Sequence, residues 1–209
     1  MIRLILVRHG QTQWTAEQRY QGQSDIPLDD VGLRQADALG RYFAHRRVDA
    51  IYSSDLRRAW QTAEPIARAV GIAIQSDPRL REGAFGIWEG LTYGEIQQRW
   101  PQQFAAWRSD PLRSTPHGGE TLQQVIDRVA SVLADLHHNH HNQTIMLVSH
   151  GGTLRALFCY ALNLPTHAFW LITLNAASIS ELHLFNDNVA VLSLLNDTHA
   201  VADGLMWGG

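Results

Sequence analysis

LILVRHG at residues 4–10 and IMLVSHGG at residues 145–152 decide how this chain is read. Each is a run of apolar residues that stops at a histidine followed by glycine. A short continuous apolar run bounded by turn signals reads as a strand buried on both faces, the kind found in parallel sheets. In an open α/β sheet, ligands bind beyond the carboxyl ends of the strands. His9 and His150 are therefore expected to converge although they lie far apart in sequence. The glycines that follow lack Cβ and let backbone approach a ligand. A helix is expected to start directly after His150, where its free N–H groups and positive dipole end favour an anion.

The flanking sequence supplies the rest of the sheet and its cover. Residues 48–52 and 72–75 read as two more strands, and 178–185 and 189–195 as a closing pair. Apolar residues recur at helical spacing over 32–45, 56–70, 121–138 and 152–162. Asp55 is expected to cap the second of these helices and Gly71 to close it. Strands alternating with helices imply a mostly parallel sheet covered on both faces, a three-layer α/β/α sandwich. Residues 83–116 differ in composition, with Trp88, Trp100, Trp107 and no clean strand. They predict short helices at 93–99 and 102–107. The expected organisation is one domain over residues 1–209 with an irregular insertion or lid at about 83–120.

All 17 basic residues are arginine, and lysine is absent. No side-chain Schiff base or covalently anchored pyridoxal cofactor can form. The phosphate loop and the protein kinase site, which both use lysine, are excluded as well. An anionic substrate must be held by arginine, histidine or backbone N–H groups. The formal charge of −3 argues against a nucleic-acid partner, which needs a clustered positive footprint. The single cysteine, Cys159, cannot form an internal disulfide, which suits a reducing compartment. The apolar run at residues 4–7 is shorter than a signal-peptide core, and no stretch reaches membrane-helix length. The expectation is a cytoplasmic protein without membrane contact.

Charge gathers at the strand ends. Arg57 and Arg58 fall in the first turn of their helix, where the dipole disfavours cations. That placement requires a compensating anion, either a carboxylate such as Asp55 or Glu64 or a ligand phosphate. Arg8 beside His9 makes the same demand. Arg8 and Arg58 can each bind phosphate oxygens bidentately, so the set matches a phosphoryl dianion. Candidates for a general acid are Glu82, Glu89 and Glu95. Glu95 reads as part of a solvated helix face, whereas Glu82 and Glu89 flank Phe85 and Trp88, an apolar setting that raises a carboxyl pKa. Composition leaves Glu82 and Glu89 equally open. His137, His138, His140 and His141 fit a metal site by residue type. They fit a helix C-terminus better, where cationic histidines meet the dipole favourably.

Arg8-His9-Gly10-Gln11-Thr12 after an N-terminal strand resembles the RHGET/RHGES signature of the histidine phosphatase, or phosphoglycerate mutase-like, superfamily. Further matches follow in order: Tyr20-Gln21-Gly22 with Asp25 and Pro27-Leu28, Ser53 to Ala59 with Gln61-Thr62-Ala63, and Leu80-Arg81-Glu82. Phe85-Gly86 with Trp88-Glu89-Gly90, Gly118-Gly119-Glu120 and Val148 to Gly152 complete the series. The resemblance implies the phosphoglycerate mutase-like fold and makes His9 the nucleophile that becomes phosphohistidine. It makes Arg8, Arg58 and His150 the phosphate pocket, with Gly151 beside them and Gln21 and Gly22 on the substrate side. It selects Glu82 over Glu89 as the proton donor. Thr15 stands where the family often has asparagine and is a candidate pocket member with a shorter hydrogen-bonding reach. The family works without metal or cofactor.

The superfamily contains both mutases and phosphatases. Mutases carry extra basic residues after the catalytic acid to grip a second anionic group. Residues 83–101 hold only Arg99, with Phe85, Trp88, Tyr93 and Trp100 in place of cations. The absence of lysine removes the extra cationic clamp, and the expected activity is hydrolysis of a small phosphorylated metabolite. α-Ribazole phosphatase, metal-independent phosphoserine phosphatases and sugar-phosphoglycerate phosphatases are all similar. The alternatives are a phosphoglycerate mutase, an inactive phosphate-binding module and a zinc hydrolase. A homodimer through the apolar C-terminal strand and the neighbouring Trp170 stretch stays open.

Overall fold

The computed structural model describes residues 1–185 and 189–202. In chain order the first half contains β1 (Ile2–Arg8), α1 (Gln13–Ala16), α2 (Asp30–Phe43), β2 (Ala50–Ser53), α3 (Arg57–Val70) and β3 (Ile74–Ser76). The second half contains α4 (Tyr93–Arg99), α5 (Pro101–Ser109), α6 (Leu122–Asn139), β4 (Thr144–Ser149), α7 (Gly151–Ala161), β5 (Ile179–Leu184), β6 (Ala190–Asp197) and α8 (His199–Ala202). The six strands form one mixed sheet in the order β3-β2-β4-β1-β5-β6. β1, β2, β3 and β4 pair in parallel, whereas β5 and β6 run antiparallel to their neighbours.

The period-2 alternation of the buried strands divides the core. Leu4, Leu6, Ile145 and Leu147 face α6 and α7, packing on Val129, Leu133 and Leu157. Ile5, Val7, Met146 and Val148 face α2 and α3, packing on Leu39, Phe43 and Ile66. Every residue of β4 is buried, as a strand covered on both faces must be. Full burial of each of these side chains is worth roughly 1.5–3 kcal/mol. The result is the three-layer α/β/α arrangement. A third apolar cluster joins Trp88, Ile96, Phe104 and Trp107 and leans on Tyr20, Phe85 and Trp170. No helix among the described residues is long and apolar enough to cross a membrane.

The start of α3 corrects an expectation. Asp55 does not cap the helix; the N-cap is Leu56, which makes no side-chain cap bond. Asp55 instead pairs with Arg81, and Asp25 accepts from the Arg57 backbone N–H at 2.7 Å. A carboxylate from a distant loop thus performs the capping that sequence proximity would assign to Asp55.

Candidate active site

Parallel pairing of β1 with β4 in the register Arg8↔Ser149 brings the two histidines together at adjoining strand ends. Their ring centroids lie 5.1 Å apart, and both side chains are buried. His9 Nδ1 lies 2.7 Å from the carbonyl oxygen of Gly10. A carbonyl only accepts, so Nδ1 carries the proton and Nε2 keeps a free lone pair. Burial, then the charges of Arg58 and Arg8, hold the His9 pKa well below its ordinary value. His9 is therefore a neutral imidazole facing the cavity, the state a nitrogen nucleophile requires.

His150 is fixed differently. Arg58 Nε donates to His150 Nδ1 at 3.1 Å, which leaves the proton on Nε2 to be donated to Ser54 Oγ at 2.8 Å. Burial and Arg58 also push this imidazole well below its ordinary pKa. The Arg58 guanidinium is wholly buried, and burial lowers its pKa to about 10. Its Nη1 and Nη2 donate to the carbonyls of Ser24 and Gly22 at 2.8 and 2.7 Å. Three of its five N–H donors are thus spent on the protein, and two remain. Neither Asp55 nor Glu64 compensates its charge. Glu64 accepts from Trp60 instead. Arg8 donates through Nη1 to the Leu174 carbonyl, and its Nε is buried without a partner.

A cavity of about 440 Å³ opens over these groups, lined by Arg8, His9, Gln21, Gly22, Arg58, Glu82 and Gly152 among others. His150 is not part of its lining; it lies behind Arg58 and orients it. Gly151 also sits behind the wall, against Arg8 Nε. Thr15 is outside the lining too. Its hydroxyl shares the α1 capping box with Thr12 and accepts from Gln21 Nε2 at 3.1 Å. Its proton goes to Thr12, because the Thr12 hydroxyl donates to Gln21 Oε1. Thr15 thereby holds Gln21 at the cavity wall.

The two candidate acids are placed in contrasting ways, and neither sits in the apolar setting expected from Phe85 and Trp88. Glu82 accepts from the backbone N–H groups of Gly152 and Thr153 at 2.9 and 3.0 Å. The group at the N-terminus of α7 is thus the Glu82 carboxyl, where a ligand anion was expected. Glu89 is consumed elsewhere: it accepts from the N–H groups of Gln23, Ser24 and Phe85 at 2.9–3.0 Å. It pins the very loop whose carbonyls receive Arg58. That loop turns at Gly22, whose φ of +52° favours glycine and whose Cβ would strike the Glu89 carboxylate.

Three cations at the cavity escaped the sequence reading, of which Arg19 is already paired with Glu17 and Glu95. Arg108 is exposed on α5 and stacks over Trp170, its guanidinium carbon 4.2 Å from the ring centroid. Arg155 stands one turn into α7, its guanidinium carbon 4.7 Å from the Phe169 ring centroid. All three line the cavity, so the expected lack of further cations is corrected. The signal for Arg155 was its position. Helical side chains lean toward the N-terminus, so a residue one turn in reaches back to the strand ends. The histidine run at 137–141 forms no cluster suited to a metal. His140 contacts Tyr52 Oη and Gln143 Oε1 at 2.9 and 2.8 Å, and no group of three metal-ligating side chains occurs among the described residues.

Comparison with known proteins identifies the family. The model of the histidine phosphatase superfamily (branch 1) matches residues 4–198. The chain belongs to that family. It is 34% identical over 194 residues to phosphoserine phosphatase 1 of Hydrogenobacter thermophilus, covering 93% of this chain and 92% of that one. A mycobacterial glucosyl-3-phosphoglycerate phosphatase solved with VO3 superposes with a TM-score of 0.85 at 34% identity, over 94% of this chain and 99% of that one. A phosphoserine phosphatase mutant from Entamoeba histolytica, in complex with phosphoserine, gives a TM-score of 0.86 at 28% identity, covering 96% and 99%.

Proposed function

We propose that the chain hydrolyses phosphomonoesters of small metabolites through a phosphohistidine formed on His9. The observation that carries this reading is the state of His9: buried, neutral, with Nδ1 tied to Gly10 and Nε2 open to a cavity lined by Arg8 and Arg58. Nε2 attacks phosphorus while the ester P–O bond breaks, and Glu82 in its protonated form gives its proton to the leaving oxygen. Water then attacks the P–N bond. Glu82 takes the proton of that water, and phosphate departs from a neutral His9. Arg8, through its partnerless Nε, and Arg58, through its two remaining donors, neutralise the transferring phosphoryl group. His150, Gly151, Gln21, Gly22 and Thr15 act around it. His150 and Gly22 fix Arg58, Gly151 backs Arg8, and Thr15 braces Gln21 against the substrate. This division of charge asks nothing of a metal or cofactor.

Hydrolysis rather than mutase transfer is supported by relatives named as phosphatases. The presence of His9, Arg58, Glu82 and His150 speaks against an inactive module. Residues 83–120 form the lid of a single domain, supported by the aromatic cluster around Trp88 and Trp107. The buried lone Cys159 supports residence in a reducing cytoplasm. The test is hydrolysis of para-nitrophenyl phosphate in EDTA by the wild type and by His9→Ala. Turnover in EDTA that His9→Ala abolishes is expected. Strict metal dependence, or full activity in the variant, overturns the mechanism.

A further inference from the structure

We propose that Arg155 is a specificity-determining residue that grips a carboxylate on the leaving group, so that the substrates are phosphorylated carboxylic acids. This rests on the hydrolytic reading above. The other arginines deep in the cavity are assigned: beyond their bonds to Ser24, Gly22, His150 and Leu174, the remaining donors of Arg58 and Arg8 serve the phosphoryl group. Arg155 is not. Its Nε donates to the Gly151 carbonyl at 3.1 Å, and Phe169 supports the guanidinium from the side. Its terminal nitrogens make no hydrogen bond or ion pair among the described residues, although the side chain is largely enclosed and lines the cavity.

The unspent fork opens into the cavity, where a largely enclosed charge is poorly solvated and a ligand anion is favoured. Burial accordingly pulls its pKa below the ordinary value. Glu82 is the nearby opposite charge, but its oxygens are held by the N–H groups at the start of α7 and lie on the proton-transfer side. The fork matches the two oxygens of one carboxylate. A second phosphoryl dianion fits worse, because it brings twice the negative charge of a carboxylate past Glu82, while Arg108 is exposed and stacked on Trp170 and Arg19 is paired with Glu17 and Glu95. The place is right for the leaving group. Arg155 stands on the same helix whose first turn carries Gly152 and Thr153, the residues that aim Glu82 at the leaving oxygen.

The test compares matched substrates that differ by the carboxylate: O-phosphoserine with O-phosphoethanolamine, and 3-phosphoglycerate with glycerol 3-phosphate. The quantity read is the ratio of kcat/KM within each pair, so a general loss in a variant cancels. The wild type is expected to favour the acid-bearing member. Arg155→Met should cut the ratio by roughly 30-fold or more, the range for truncating one partner of an enclosed charge pair. Arg155→Lys keeps the charge without the fork and should lose less. A wild type without preference, or a ratio unchanged in Arg155→Met, overturns the inference. If Arg155→Met does not fold, the wild-type ratio and Arg155→Lys decide it alone. Hydrolysis of para-nitrophenyl phosphate without carboxylate preference removes only the role of Arg155. No hydrolysis of any of these esters removes the phosphatase reading itself.

Discussion

Arg58 Nε donates to His150 Nδ1 at 3.1 Å, so one buried cation sets the tautomer of one buried imidazole. The pair makes the proposed phosphate pocket a single preassembled unit. Removing His150 frees Arg58 to rotate and strips a buried donor of its acceptor, a loss worth about 1–3 kcal/mol. His150→Ala should therefore lower both kcat/KM and the unfolding temperature. Measuring the two together distinguishes this from a residue that touches phosphate alone, whose loss would leave stability intact.

The buried histidines predict how stability depends on pH. Burial first, and then the neighbouring arginines, hold His9 and His150 well below 6.5 in the fold. Above that value both states of the chain are neutral at these positions and stability is flat. Below it the unfolded chain takes up protons that the fold refuses. Stability then falls by up to about 1.4 kcal/mol per pH unit for each histidine, until the folded pKa is reached. Urea unfolding of the wild type and His9→Gln between pH 7 and pH 5, as a window set by about 6.5 for free histidine, should show a shallower loss in the variant. The acid limb of kcat/KM should likewise lie below the ordinary histidine value.

Glu82 and Glu89 should separate by leaving group. Glu82→Gln removes proton donation and should cost about 10²–10⁴ in kcat on an alkyl phosphate. It should cost far less on para-nitrophenyl phosphate, whose phenolate needs little help. Glu89→Gln loosens the loop that carries the Gly22 and Ser24 carbonyls, so it should lower both substrates equally and reduce thermal stability. Equal leaving-group dependence in the two variants would contradict the assignment.

Gly152 tests the aim of the carboxyl proposed as the proton donor. A Cβ at that position would lie 2.5 Å from Glu82 Oε1. Gly152→Ala should displace the carboxylate by a fraction of an ångström and reduce kcat roughly 10²-fold, the sensitivity expected of misplaced catalytic groups. KM on para-nitrophenyl phosphate should change little. A kcat within twofold of wild type, against the roughly hundredfold expected, would mean that Glu82 is not held where it acts.

The sheet and the meeting of the histidines were legible because β1 and β4 are continuous apolar runs ending in His-Gly, a pattern that topology alone brings together. The anion site at the start of α7 was legible too, but not that Glu82 fills it, because no local pattern links a loop carboxylate to a helix that begins at Gly151. The partners of Arg58 were hidden for a general reason. They are the carbonyls of Gly22 and Ser24, and every residue carries a carbonyl. Asp55 was misassigned as a cap because sequence proximity cannot show that Arg81 claims it or that Asp25 supplies the bond to Arg57. Arg155 was hidden because a second cation is expected in the segment after Glu82, whereas this one comes from α7.

The most direct test of the mechanism is the covalent intermediate. The enzyme is mixed with para-nitrophenyl phosphate in EDTA, quenched in alkali to preserve the acid-labile P–N bond, and mapped by mass spectrometry. Phosphate on the peptide containing His9, and absent from His9→Ala, is the predicted result. Continued turnover with no phosphorylated histidine, or with the label on His150, would contradict it.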